Sequence, residues 1–121
     1  MRKDIRTEIE INASAEKVWR ILSDFENFPK WNPFVIKVLG KPQVGEILQI
    51  EVQLPESVKM KFTPKVMVAE PNRELRWVGS LPPNAFRGEH FYQIEHLGEN
   101  KIKFIHGENF SGWMVGLIWV M

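Results

Sequence analysis

The chain has 121 residues, 44% hydrophobic and 26% charged, with a formal net charge of +1 and no cysteine. Its length and apolar content suit one domain with a buried core. The lack of cysteine excludes disulfides, thiol nucleophiles and thiolate metal sites, and near-neutral charge with scattered basic residues excludes a nucleic-acid footprint.

The N-terminus, Met1-Arg2-Lys3-Asp4, is polar and leads straight into an alternating segment, so no signal peptide is expected. Over residues 4–12, Ile5, Thr7, Ile9 and Ile11 alternate with Arg6, Glu8 and Glu10, which predicts a half-buried strand. Asn12 or Ser14 then offers a helix N-cap. Val18, Trp19, Ile21 and Leu22 form one apolar face of a short helix that ends near Ser23-Asp24. Residues 24–34 read Asp-Phe-Glu-Asn-Phe-Pro-Lys-Trp-Asn-Pro-Phe, and the prolines and asparagines forbid a long helix. A short second helix and turn, pinned by Phe25, Phe28 and Trp31, is expected. Trp31 and Phe34 are candidates for the aromatic wall of a ligand mouth.

Strands follow over residues 34–39, 46–54, 58–69, 74–81 and 86–97, separated by Gly-, Pro- and Asn-rich turn signals. Pro64 inside one of them predicts a bulge or an edge position. The last strand, from Lys101, places Ile102, Phe104, His106, Glu108 and Phe110 on one face. Ser111-Gly112 breaks the pattern, and residues 113–121 carry no charge and read as an apolar helix, too short to span a bilayer. The fold class expected is α+β. A seven-stranded curved antiparallel sheet carries two short N-terminal helices, and the C-terminal helix lies in its concave face. Residues 1–121 form a single domain in this reading, soluble and cytoplasmic, without stable membrane insertion.

Several stretches together resemble the START-related helix-grip superfamily. They are Ala13-Ser14-Ala15-Glu16-Lys17-Val18-Trp19, Phe28-Pro29-Lys30-Trp31-Asn32-Pro33-Phe34, Glu70-Pro71-Asn72-Arg73-Glu74-Leu75-Arg76-Trp77, Gly88-Glu89-His90-Phe91-Tyr92 and His106-Gly107-Glu108-Asn109-Phe110-Ser111-Gly112. The superfamily includes lipid-transfer domains, polyketide cyclases/dehydrases and birch-pollen-allergen-like proteins, and the likeness is to its small bacterial cyclase/dehydrase-like branch. The resemblance implies the helix-grip fold with a cavity between sheet and C-terminal helix. Members usually carry a longer C-terminal helix than the nine residues that follow Gly112 here. At 1.5 Å per residue those nine give roughly 13 Å of helix. The expectation is an exposed apolar groove, covered by a second copy in a homodimer formed through that groove or the C-terminal segment.

Alternation places Leu75, Trp77 and Gly79 together, and likewise His90, Tyr92 and Ile94. With Phe104, His106, Glu108 and Phe110 they are the candidate concave face, apolar with a few polar groups. The candidate ligand-binding residues are Trp31, Phe34, Trp77, His90, Tyr92, Phe104 and Phe110. The candidate catalytic residues are His106 and Glu108, a histidine–carboxylate pair suited to acid–base work. The plain alternative is a satisfied structural pair. A three-histidine metal site from His90, His96 and His106 fits strand geometry, but no tight spacing supports it, and neither a metal nor a cofactor is expected. The functional expectation is binding or transport of a hydrophobic small molecule such as a lipid or polyketide. The alternatives are a cyclase/dehydrase-type enzyme using the His/Glu pair, or a module that holds a protein helix in its groove.

Overall fold

The computed structural model describes residues 2–53, 59–81 and 85–112. Strand β1 (Arg2–Ile11) runs into helix α1 (Ala15–Ser23), then a 3-10 helix (Phe25–Lys30). Seven strands follow: β2 (Val35–Leu39), β3 (Gln49–Gln53), β4 (Lys59–Phe62), β5 (Lys65–Glu70), β6 (Glu74–Leu81), β7 (Phe86–Gly98) and β8 (Lys101–Ser111). Ser14 is the N-cap of α1, with extended backbone and its Oγ accepting the Lys17 N–H at 3.2 Å. The 3-10 helix contains Pro29 and lasts six residues, in keeping with the poorer hydrogen-bond geometry of such turns. Asn32 Oδ1 then accepts the N–H groups of Phe34 (3.0 Å) and Val35 (3.1 Å) and turns the chain into β2.

The strands form two antiparallel sheets, one in the order β1-β8-β7-β6-β5 and one in the order β2-β3-β4. The seven-strand count is therefore corrected to eight. The stretch read as one strand over 58–69 breaks at Thr63-Pro64, where proline has no N–H to donate. Its first half pairs with β3 and its second half with β6. The corner remains bonded: Leu48 N–H donates to Pro64 O at 2.8 Å and Val66 N–H to Glu46 O at 2.9 Å, so the two sheets meet along these residues. The first strand was expected to be half-buried. It lies at the sheet edge instead, with Ile5 and Ile9 38% and 60% exposed. The apolar helix expected over 113–121 lies outside the described residues. Among the described residues no helix is long and apolar enough to cross a membrane.

The core fills the concave side from one end. Ala15 of α1 clusters with Ile94 of β7 and Ile102 of β8. Phe25 and Phe28 of the 3-10 helix pack on Trp77, with Phe28 also reaching Tyr92, at ring-centroid distances of 6.1–6.3 Å. On the opposite face, Gly107 leaves room for the ring of Phe91, and the Arg76 guanidinium stands 4.7 Å above that ring. Arg76 donates to Glu74 at 2.9 Å and to Glu89 at 2.7 Å, while Gln93 donates to Glu74 and Asn109 to Glu89, both at 3.0 Å. A hydrogen-bonded polar lattice thus ties β6, β7 and β8 together behind the concave face.

Candidate functional site

The site follows from strand period and register. Side chains two residues apart share a sheet face, and directly opposed residues on antiparallel neighbours stand closest. Register sets Trp77 opposite His90, His90 opposite Glu108, Tyr92 opposite His106 and Ile94 opposite Phe104. On the other flank, Ile5, Thr7 and Ile9 of β1 stand opposite Glu108, His106 and Phe104. The expected concave set from β6, β7 and β8 is therefore brought together.

Its polar members converge on one point. His90 Nε2 lies 2.6 Å from Glu108 Oε1, and His106 Nε2 lies 3.7 Å from the same oxygen. The side chains of His90, His106 and Glu108 are 32%, 33% and 24% exposed, so the cluster is lined yet open. Rings hold the imidazoles in place. Tyr92 stacks on His106 at 4.6 Å with an interplanar angle of 11°. His90 sits between Trp77, 5.9 Å away, and Phe110, 6.4 Å away. Phe25 and Phe28 of the 3-10 helix pack on Trp77 and Tyr92, next to the His–Glu cluster on the same sheet face.

Burial pushes the His106 imidazole below its ordinary value and His90 adds to that effect, against a smaller opposing pull from Glu108. At neutral pH His106 is thus a neutral imidazole with a free lone pair on one nitrogen. Burial raises the Glu108 carboxyl, but the His90 hydrogen bond and the charges of His90 and His106 together outweigh it, leaving the carboxyl below the ordinary range. Burial, reinforced by Glu108, pushes the Tyr92 phenol upward, so it stays protonated. The arrangement therefore offers an ionised carboxylate, a neutral imidazole and a protonated phenol on an aromatic floor. His106 Nε2 is shielded from solvent and has no hydrogen-bond partner among the described residues.

Some expectations change in detail. The sequence pairs His106 with Glu108, whereas the tight partner of Glu108 is His90, from the neighbouring strand. Residues two apart on one strand are about 7 Å apart at the backbone, and cross-strand neighbours only about 5 Å. His96 lies away from the other two histidines, on the rim of a surface depression of about 450 Å³ lined also by Ala15, Glu16, Gly98, Glu99 and Asn100. The His90–His96–His106 combination is thereby dismissed. Trp31 is 40% exposed and rests on Phe28 at 4.3 Å, which links it to the floor through one ring. Phe34 is 47% exposed, immediately before β2. Phe28, fully buried and touching Phe25, Trp31, Trp77 and Tyr92, is the hub that sequence reading left out of the site. Its position in an aperiodic, proline-containing segment gave no face to assign.

A family model described as "Polyketide cyclase / dehydrase and lipid transport" matches residues 2–117. No curated protein gives a significant sequence match. Among solved structures, a START superfamily protein from Mycobacterium smegmatis is 22% identical with a TM-score of 0.73, over 90% of this chain and 77% of that one. The ZhuI aromatase/cyclase from Streptomyces sp. R1128 is 14% identical with a TM-score of 0.76, over 93% and 69%. Norcoclaurine synthase from Thalictrum flavum, in complex with dopamine and hydroxybenzaldehyde, is 14% identical with a TM-score of 0.72, over 100% and 75%. At these identities the likenesses establish the helix-grip-like α+β fold.

Proposed function

The chain belongs to the polyketide cyclase / dehydrase and lipid transport family, and we propose that it binds a hydrophobic small molecule against the concave face of its sheet. One observation carries this reading. The half-buried rings of Phe104 and Phe110, backed by the buried Trp77 and Tyr92, flank the half-buried His90, His106 and Glu108 on one sheet face. Apolar walls supply affinity and the convergent polar atoms fix orientation, the usual division of labour in a small-molecule site. Trp31 and Phe34 belong to the mouth in this proposal. Ile5 and Ile9 belong to the apolar surface that the expected second copy would cover.

A second reading has its own support. The Nε2 of His106, without a hydrogen-bond partner among the described residues and beside the Glu108 carboxylate, suits proton transfer at a hydroxyl or enolisable carbon, as a cyclase or dehydrase requires. Two of the fold's neighbours are named as an aromatase/cyclase and a synthase. Titration with 8-anilinonaphthalene-1-sulfonate separates the readings. Binding should saturate at one probe per chain, and Phe110→Ala should weaken it about tenfold, the equivalent of about 1.4 kcal/mol. His106→Gln and Glu108→Gln should leave affinity within a few-fold while abolishing any turnover. Unsaturable binding, or affinity indifferent to Phe110, would refute the binding proposal.

A further inference from the structure

We propose that His90, His106 and Glu108 form an open three-ligand site for a divalent first-row transition-metal ion of the zinc type. Two Nε2 atoms converge on one carboxylate oxygen, at 2.6 and 3.7 Å. A single proton between His90 and Glu108 satisfies that pair and no more. It leaves His106 Nε2 shielded from solvent and without a hydrogen-bond partner among the described residues. Such an orphaned nitrogen is costly to bury. A cation at the point of convergence satisfies all three atoms together.

The donor set fits this chemistry. Two imidazole nitrogens and one carboxylate oxygen are a recurrent set for zinc and related ions, and an open fourth position is the mark of sites that act on a ligand. The three ligating atoms lie within 4.8 Å of one another. Bonds of about 2.0–2.2 Å in tetrahedral geometry require ligand atoms about 3.3–3.5 Å apart. His90 and Glu108 then open by less than about 1 Å, His106 closes on Glu108 by a few tenths, and the widest of the three spacings closes by up to about 1.4 Å. Side-chain rotation supplies such movements without shifting the backbone. The backbone is held in place, because all three residues sit in paired strand interiors, with the His106 ring stacked on Tyr92.

The partial exposure of all three side chains leaves the open coordination position facing the concave space. An ion there would meet the polar group of whatever occupies the apolar floor. This inference does not depend on that occupant's identity, and its test uses the metal alone.

Chelator-treated protein is titrated with cobalt(II), whose ligand-field absorption reports low-symmetry coordination, and then with zinc(II) as competitor. One equivalent of cobalt should bind, zinc should displace it, and His90→Gln, His106→Gln and Glu108→Gln should each weaken binding on the order of 100-fold. His96→Gln should leave it unchanged. X-ray absorption of the zinc-loaded unmutated chain provides a count independent of variant folding, and two imidazoles with one carboxylate oxygen are expected. Absence of a cobalt spectrum, sensitivity to His96 instead of His90, or a shell without two imidazoles would each overturn the proposal. Anilinonaphthalene binding that persists alongside such a failure would leave the small-molecule reading standing.

Discussion

Replacing Gly107 by alanine probes the geometry of the site from behind. Gly107 lies between His106 and Glu108 on β8 and is paired with Phe91 of β7. A Cβ at this position would stand 2.6 Å from Phe91 Cε2 and closer still to Cζ and Cε1. Carbon atoms in contact prefer about 3.5–4.0 Å, so the ring must lift by about 1 Å or more. Phe91 is 8% exposed, and the Arg76 guanidinium lies over it, bonded to Glu74 and Glu89. Overpacking of this kind costs about 1–3 kcal/mol, and disturbing the Arg76 bonds adds about 1 kcal/mol. A loss of about 2–3 kcal/mol, or roughly 10 °C in Tm, is expected for a chain of this size. Urea unfolding followed by circular dichroism measures it, with Gly98→Ala as the control. Gly98 has open space around it and no left-handed backbone, so its change should stay within about 0.5 kcal/mol. If both variants are equally stable, Phe91 is not seated on Gly107. The adjoining pairs His90–Glu108 and Tyr92–His106 then lose their support, because they share that register.

Two further outcomes are expected. In chelator-treated protein, His106 and Glu108 both have folded-state values below their ordinary 6.5 and 4.5. The unfolded chain therefore takes up these protons first, and stability that is full above about pH 6.5 declines on acidification. His106→Asn should flatten the decline that begins below pH 6.5 in urea midpoints measured across pH, and an unchanged profile would count against the burial assigned to that imidazole. Ser14→Ala removes the oxygen that accepts the Lys17 N–H and should cost about 1 kcal/mol in the same unfolding assay. No measurable loss would show that α1 is held by packing alone.

The face assignments were legible in the chain because the period of a strand is two. Phe104, His106, Glu108 and Phe110 share a face by alternation alone, as do His90 and Tyr92 on the preceding strand. What joins the two sets is register, which depends on the β7–β8 connection and on the irregularity between His96 and Gly98. Alternation says nothing about either, so His90 was placed near Glu108 without being recognised as its tight partner. The strand count failed for a related reason. Residues 58–69 keep an extended pattern through Pro64, and only the tertiary corner, where Leu48 and Val66 bond across it, makes two strands of one. Phe28 was visible as a pinning residue, yet its role as the hub under Trp77 and Tyr92 needs the 3-10 helix laid into the sheet.

The central claim is that the concave face accommodates a hydrophobic small molecule. Native mass spectrometry of protein purified from its expression host, followed by denaturation and solvent extraction, tests it most directly. The account predicts one apolar small molecule per chain, released on denaturation and recovered in the extract, with lower occupancy in Phe110→Ala. A chain that carries nothing from the host and takes up no anilinonaphthalene probe at saturation would contradict it.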